Sequence, residues 1–272
     1  MPNPTPRRVA QAGSLRHARS SGTTDPRALA LMTPLMFRDY YSAVWNFDNE
    51  AIANDDFWSL ANIGAGAADP VLSTALGLGT VIFTTGGGNP GVSTLHGTAA
   101  IFQSADNPVL YIRYRQPAAV TAFRFEIGWT NVVTTKTTQC VSALTAAAVP
   151  TVGNGLTDGV VFAMDTTFTL ATPALVGVGT STAAAGVKAV NPLTTTAISL
   201  TAAKWVDLYV GAYVGGGFAE MYQDDALLCR HTVESGPDTA IAMFPYISFG
   251  DSGTSQVVHL RKVAIIAEEN TR

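Results

Sequence analysis

Apolar and polar residues alternate along several short stretches of this chain. Residues 123–129 read Phe-Arg-Phe-Glu-Ile-Gly-Trp, and residues 109–115 read Val-Leu-Tyr-Ile-Arg-Tyr-Arg. Because successive side chains of a β-strand point to opposite faces, this alternation predicts strands with one face on a core. Further strands are predicted at 159–165, 168–171, 175–179, 205–214, 218–223, 226–231, 242–249 and 256–267.

Turn-forming residues separate the predicted strands, for example Asn89-Pro90-Gly91 and Gly153-Asn154-Gly155. Pro, Gly and Asn favour the backbone angles of tight turns. Asp224-Asp225 stands between two predicted strands, which indicates a hairpin. Many short strands bounded by turns predict an all-β chain that folds as an antiparallel sandwich or barrel. Beyond the N-terminal segment, helical candidates are short, for example near residues 51–60.

Residues 1–34 differ in composition from the rest of the chain. The first 30 residues hold five arginines and one acid, Asp25, whereas the remainder holds 11 basic and 19 acidic side chains. Rich in Pro, Ser and Gly, this segment has too little apolar surface to offset its ordering entropy. We predict an extended basic N-terminal arm over 1–34 and one β-sandwich domain over 35–272. The arginines of the arm are candidate contacts to an acidic protein surface: Arg7, Arg8, Arg16, Arg19 and Arg27.

Composition limits the classes of function. The chain has 272 residues, a formal net charge of −4, 13% charged residues and 47% hydrophobic residues. This excludes a disordered chain and a generally basic nucleic-acid binder. The surface is expected to be rich in Thr, Ser, Ala and Gly, which lose little side-chain entropy when a neighbour packs on them, so we expect a homo-oligomer. No stretch reaches 18 apolar residues, so no membrane span is expected.

Several segments follow one another in a familiar order. They are the strand at 123–129, residues 158–162 (Asp-Gly-Val-Val-Phe), residues 204–210 (Lys-Trp-Val-Asp-Leu-Tyr-Val), the Tyr-Gln-Asp-Asp-Ala-Leu-Leu hairpin and the closing strand at 257–263. This order resembles the concanavalin A-like (laminin G-like) jelly-roll modules in structural proteins of tailed bacteriophages, over roughly residues 45–268. The family's usual hairpin is Asp-Gly, where this chain has Asp224-Asp225.

The resemblance implies two stacked antiparallel sheets. It also implies a role as a capsid decoration protein, a fibre or a tail component, and some relatives bind sugars. Residues 1–34 lie outside the resemblance.

No set of catalytic residues is evident in the sequence. Catalysis needs a nucleophile, a base and an orienting group, but the histidines are scattered. A glycosidase needs two carboxylates about 5–9.5 Å apart. Acids two residues apart on a strand would lie on the same face and could form such a pair, but no predicted strand carries them. Glu126 has no acid at 124 or 128, and Glu220 and Asp224 straddle a hairpin end. We therefore expect no enzymatic activity. The four histidines are His17, His96, His231 and His259.

Metal and cofactor sites are not expected either. Zinc needs paired His or Cys spacing, which the chain lacks. Calcium needs a dense cluster of oxygen ligands, and the candidate acids are expected to form turns instead: Asp158, Asp165, Asp224 and Asp225. The only cysteines, Cys140 and Cys229, are expected to be buried free thiols.

Four tryptophans are candidates for sugar or protein contact. From the strand pattern, Trp129 and Trp205 are expected in the core. Trp45 and Trp58 lie in less regular sequence, so they are the candidate glycan-binding or interface aromatics.

The leading hypothesis is a non-enzymatic phage virion protein, a capsid decoration or cement protein anchored by its arm. Its partners would be the major capsid protein or other virion subunits, and it would be assembled into the virion in the host cytoplasm. Nucleic acid is not an expected partner, because the arm has no aromatic residue before Phe37 to stack on bases. The alternative is a lectin-like module of a tail or fibre that binds cell-surface glycan. A third hypothesis is a polysaccharide-cleaving enzyme on the same scaffold.

Overall fold

A computed structural model describes this chain between residues 40 and 268 with internal gaps. The predicted arm with its five arginines lies outside the described residues, and so does the predicted strand at 168–171. The described residues are 40–45, 47, 57–63, 66, 68–73, 76, 79–87, 91–118, 123–132, 140–143, 151–152, 155–165, 174–179, 186–190, 203–213, 218–223, 226–232, 237, 240–251 and 253–268.

Regular structure in the described ranges is β, apart from a short 3-10 turn at Ser104–Asp106. The strands are numbered in chain order: β1 (Tyr40–Trp45), β2 (Trp58–Ile63), β3 (Ala68–Leu72), β4 (Val81–Thr84), β5 (Gly91–Gly97), β6 (Val109–Arg115), β7 (Phe123–Thr130), β8 (Val141–Ala143), β9 (Thr151–Val152), β10 (Gly159–Asp165), β11 (Ala174–Gly179), β12 (Gly186–Val190), β13 (Trp205–Tyr213), β14 (Phe218–Gln223), β15 (Ala226–Thr232), β16 (Phe244–Asp251) and β17 (Val257–Glu268).

The strands form two main antiparallel sheets. Sheet A has eight strands in the order β15-β14-β13-β6-β17-β4-β3, with β1 also paired to β17. Sheet B has seven strands in the order β12-β11-β10-β7-β16-β5-β2, and β8 pairs with β9 separately. The long closing strand β17 pairs with β4 through its first residues and with β1 through its last. The predicted all-β, two-sheet antiparallel architecture is confirmed.

The core lies between the two sheets and follows the strand alternation. In β7, alternate residues from Phe123 to Trp129 are fully buried. Phe125 on sheet B stacks on Tyr114 of sheet A, with ring centroids 5.1 Å apart and planes 9° apart. The indole Nε1 of Trp129 donates to the carbonyl oxygen of Val210, 3.2 Å away on sheet A. Aromatic packing and a buried hydrogen bond therefore join the two sheets.

Most of the strands predicted after residue 108 are present. Gln223 pairs with Ala226, so the expected hairpin over Asp224-Asp225 is confirmed by the pairing of its flanking strands. The helical candidate near 51–60 is wrong at its end, because β2 begins at Trp58. The strand β5 was missed because it is buried on both faces almost throughout, which removes the alternation. Edge strand β3 was missed because Pro70 interrupts a short, mostly exposed segment.

Candidate functional site

The outer face of sheet A carries aromatic and basic side chains in adjacent rows. In β6 and β13, one set of alternate residues packs in the core, and the other set lies on this outer face. The register places Tyr111 opposite Tyr209, Arg113 opposite Asp207, and Arg115 opposite Trp205. With their neighbours on β17 these residues form a surface that we name the basic aromatic face: Tyr111, Arg113, Arg115, Trp205, Asp207, Tyr209, His259, Arg261 and Lys262.

Two tyrosines form the centre of the basic aromatic face. The rings of Tyr111 and Tyr209 have centroids 4.7 Å apart and planes tilted by 36°. The hydroxyl of Tyr111 donates to Oδ1 of Asp207 at 2.8 Å. Burial, reinforced by this hydrogen bond to Asp207, raises the pKa of Tyr111 above its ordinary value. The phenol of Tyr111 therefore stays protonated, so its hydroxyl continues to donate to Asp207 while its ring packs against Tyr209.

An irregularity in β17 brings two consecutive cations onto this face. Between Leu260 and Lys262 the register with β6 shifts, so Arg261 is an extra residue. In a regular strand, neighbours point to opposite faces, whereas a β-bulge redirects a side chain. Here the guanidinium carbon of Arg261 lies 5.9 Å from the centre of the Trp205 ring. The Nζ of Lys262 lies 5.9 Å from the centre of the Tyr111 ring. Both distances suit cation–π contact.

Positive charge predominates on the basic aromatic face. Arg113, Arg115, Arg261 and Lys262 are its cations, and Asp207 is its carboxylate among the side chains that the structure describes. Arg113 reaches Asp207 at 3.9 Å, with side-chain exposures of 44% and 27%, so this pair is screened and weak. Burial, together with nearby Arg115, lowers the pKa of His259 below its ordinary value, so this imidazole is neutral at pH 7. The face thus offers aromatic planes beside an excess of cations.

On the outer face of sheet B, the side chain of Glu126 is buried. Glu126 is 2% exposed. Its Oε2 accepts a hydrogen bond at 2.8 Å from the hydroxyl of Tyr246 and another at 2.8 Å from the backbone N–H of Cys140. Cys140 is buried and forms no disulfide, in agreement with the prediction from the sequence. Cys140, which follows β7 in the chain, therefore lies against this face and is held there by Glu126.

A glycosidase would need a second carboxylate near Glu126, about 5–9.5 Å away. The residues opposite Glu126 on the neighbouring strands are Ala163 and Ser248. Among the strand positions of this face whose side chains are described, Glu126 is the only acid. Its geometry is that of a structural hydrogen-bond acceptor.

Replacing Tyr246 with Phe should change how stability depends on pH. Burial, with Cys140 and Glu126 adding to it, raises the pKa of Tyr246 well above its ordinary value. Above about pH 10 the unfolded chain loses this phenolic proton while the folded chain keeps it, so the contribution of Tyr246 to stability falls as pH rises. We expect Tyr246→Phe to cost about 1–3 kcal/mol at pH 7.

Urea unfolding of both proteins at pH 7, 9, 10 and 11 measures this difference in the free energy of unfolding. The difference in the free energy of unfolding should become smaller above about pH 10. The wild-type protein loses the contribution of Tyr246 there, whereas the phenyl ring of the variant has no proton to lose. A constant difference across the series would show that Tyr246 is not held neutral by the fold.

Two of the predicted site aromatics belong to the core side of the sandwich. Trp58 is 3% exposed, so the prediction that it contacts a glycan is corrected: its indole packs in the core. Trp45 is partly buried and stacks on Phe57 at 4.8 Å, with Trp58 edge-on at 5.1 Å. These rings form one cluster at the edge of the core. The five arginines predicted as contacts of the arm lie outside the described residues.

The expectation for Trp205 is also wrong. Trp129 is buried as predicted, but Trp205 is partly exposed on the basic aromatic face. In β13 the core residues are Val206, Leu208 and Val210, so Trp205 alternates with them. The sequence contained this signal, because Trp205 shares its parity with Asp207 and Tyr209.

Sequence reasoning missed the remaining aromatic and basic members of the face. Tyr111, Arg113 and Arg115 alternate with core residues and could have been identified as one exposed row. The pairing of that row with β13 and β17 depends on the tertiary structure.

Other kinds of site find no support among the described residues. No group of three or more His, Cys, Asp or Glu side chains there is placed to hold a metal ion. Asp158 is buried at a turn, where its backbone N–H donates to the side chain of Asn131 at 3.2 Å. In the described part of the chain, no helix is long and apolar enough to cross a membrane.

Comparisons with known proteins identify the fold. No family model matches the chain, and no curated protein matches its sequence. Among solved structures, a protein of unknown function from Shewanella oneidensis MR-1 has a TM-score of 0.51 and 10% identity, covering 91% of this chain and 95% of that one. LamA from Zobellia galactanivorans, in complex with laminaritriose and laminaritetraose, has a TM-score of 0.52 and 10% identity, covering 83% and 97%.

The potassium-bound carbohydrate recognition domain of Emp46p also has a TM-score of 0.52 and 10% identity, covering 83% of this chain and 95% of that one. The fold is a concanavalin A-like jelly roll. At this level of identity the likeness shows the fold alone, and the phage origin of the chain stays a prediction.

Proposed function

We propose that this jelly roll is a non-enzymatic carbohydrate-binding module and that it binds sugar on the basic aromatic face. The observation that carries the proposal is the partly exposed aromatic set on one sheet face, Trp205, Tyr111 and Tyr209. Tyrosine and tryptophan combine a flat apolar surface with a polar group. The C–H side of a sugar ring packs on such a surface while its hydroxyls meet nearby donors and acceptors.

Proteins of the same fold support this proposal. One is LamA in complex with laminaritriose and laminaritetraose, and another is the carbohydrate recognition domain of Emp46p. A hydrolytic role has less support, because Glu126 is closed off by Tyr246 and Cys140. Binding without turnover is therefore the function that the described geometry favours.

The proposal is tested by removing the aromatic plane. Trp205→Ala and Tyr209→Ala should each weaken glycan binding about tenfold or more, because truncating a central aromatic of an interface costs on the order of 1–2 kcal/mol. A glycan array identifies a ligand, and isothermal titration calorimetry then measures Kd. Ile101→Ala is the matched control, since Ile101 is 48% exposed and lies outside both sheets. A protein that binds no glycan, or binds equally well as Trp205→Ala, would refute the proposal.

We also propose that this module is displayed on a virion, where the arm over 1–34 would attach it to the major capsid protein or other subunits. The basic composition of the arm supports attachment to an acidic surface. Exposed aliphatic side chains of sheet A, such as Val44 and Val71, support packing between copies. On this view the arm provides attachment, and the basic aromatic face stays available for sugar.

A further inference from the structure

We propose that the glycan is anionic, a carboxylated or sulfated polysaccharide whose acidic groups are bound by Arg261 and Lys262. The inference rests on the proposed sugar-binding function and adds the chemical class of the ligand. It starts from the bulge in β17, where one extra residue is inserted between Leu260 and Lys262. Without that residue, regular alternation would place only one of two consecutive side chains on the outer face.

Among the side chains that the structure describes, no carboxylate forms an ion pair with either cation that the bulge brings to the face. Asp207, the nearby carboxylate, already accepts from Tyr111 at 2.8 Å and faces Arg113 at 3.9 Å. Arg261 is exposed and Lys262 is partly exposed. Within the described part of the chain, their side-chain contacts are the ring faces of Trp205 and Tyr111. Each cation is thus held beside an aromatic plane with its charge available to an external anion.

The distance between the Trp205–Arg261 pair and the Tyr111–Lys262 pair favours a sugar oligomer over a single sugar as the ligand. Trp205 is opposite Arg115, and Tyr111 lies four residues before Arg115 on β6. Four residues of strand span about 13 Å. A ligand that contacts both Trp205 with Arg261 and Tyr111 with Lys262 must therefore extend along the strands. A polysaccharide with an acidic group on its sugar units fits this arrangement.

The charge of the whole chain favours an acidic glycan over nucleic acid. The chain carries a net charge of −4, so the positive face is local. A nucleic acid is bound mainly by neutralising its phosphates along a long basic track. This face instead has a few cations beside an aromatic row, which suits a polymer whose sugar rings stack on the aromatics while its acidic groups meet the cations.

The test compares an anionic polymer with its neutral form. Polygalacturonate and its fully methyl-esterified form are one such pair, and a sulfated polymer such as heparin extends the anionic set. Wild-type protein should bind an anionic polymer at least tenfold more tightly than a neutral one in calorimetry or affinity electrophoresis. Arg261→Gln and Lys262→Gln should each weaken that binding about five- to tenfold and reduce its dependence on salt concentration.

The matched control is Arg124→Gln, which removes the same charge from sheet B and should leave binding unchanged. If wild-type protein prefers neutral glycan and Trp205→Ala abolishes that binding, the inference fails while the proposed function stands. If single-stranded DNA or an acidic peptide binds as tightly as the anionic glycans, the ligand class is wrong. If no glycan binds, both proposals fall.

Discussion

Gly128→Ala is expected to destabilise the protein by about 3–5 kcal/mol, as the sum of backbone strain and a steric clash. Gly128 lies in the central strand β7 with a φ of +155°, which L side chains rarely adopt. It is opposite Val161 on β10, and a Cβ at position 128 would collide with the carbonyl oxygen of Val160. That oxygen belongs to the backbone of an adjacent strand, so it cannot move aside without disturbing the sheet.

Gly155→Ala is the matched control for this prediction. Gly155 has a φ of +72°, but nothing lies within 4 Å of the position that its Cβ would take. Only the backbone strain remains, so we expect a cost of about 1 kcal/mol. Urea unfolding at pH 7, followed by tryptophan fluorescence, compares the two variants. Equal costs would mean that close approach of β7 and β10 is not what requires glycine at position 128.

Phe125→Ala should cost about 3–5 kcal/mol, the range for removing a buried Phe side chain. Its ring stacks on Tyr114 of sheet A at 5.1 Å and lies 5.6 Å from Phe249 and 6.2 Å from Phe162 on its own sheet. The variant would leave a cavity where the two sheets meet. The surrounding rings are fully or almost fully buried and cannot easily collapse into it.

Phe125→Leu separates the loss of volume from other effects of the substitution. Leu keeps most of the apolar volume, so we expect a cost of about 1–1.5 kcal/mol. The free energy of unfolding from urea titration is again the measured quantity. If both variants cost the same, aromatic stacking rather than filling of space would account for the stability at this position.

The strand pattern explains why much of the fold could be predicted. In β6, burial follows the alternation of core and outer residues. In β7, alternate residues from Phe123 to Trp129 face the core, but the strand is buried on both faces from Phe125 onward. The sequence therefore indicates these strands directly. It indicates β5 and β3 less well, because the first is buried on both faces and the second is an edge strand with Pro70 at its centre.

The candidate site was harder to predict from the sequence than the fold was. Trp58 was judged by its irregular surroundings, whereas its burial depends on packing in the core and on contact with Trp45, which comes from another strand. Trp205 was assigned to the core although its own strand places it with Asp207 and Tyr209. Only the tertiary structure could correct the assignment of Trp58. The assignment of Trp205 could have been made correctly from the sequence, because alternate residues of a strand lie on the same face.

By itself, the sequence determined the all-β architecture, the core faces of the central strands and the basic character of the arm, because these depend on local periodicity and composition. The basic aromatic face was decided by the tertiary structure. Tyr111 and Asp207 are 96 residues apart yet hydrogen-bonded, and the bulge turns Arg261 and Lys262 to one side against the simple alternation. Strand register over such separations comes from pairing and packing of the whole sheet, which no local pattern encodes.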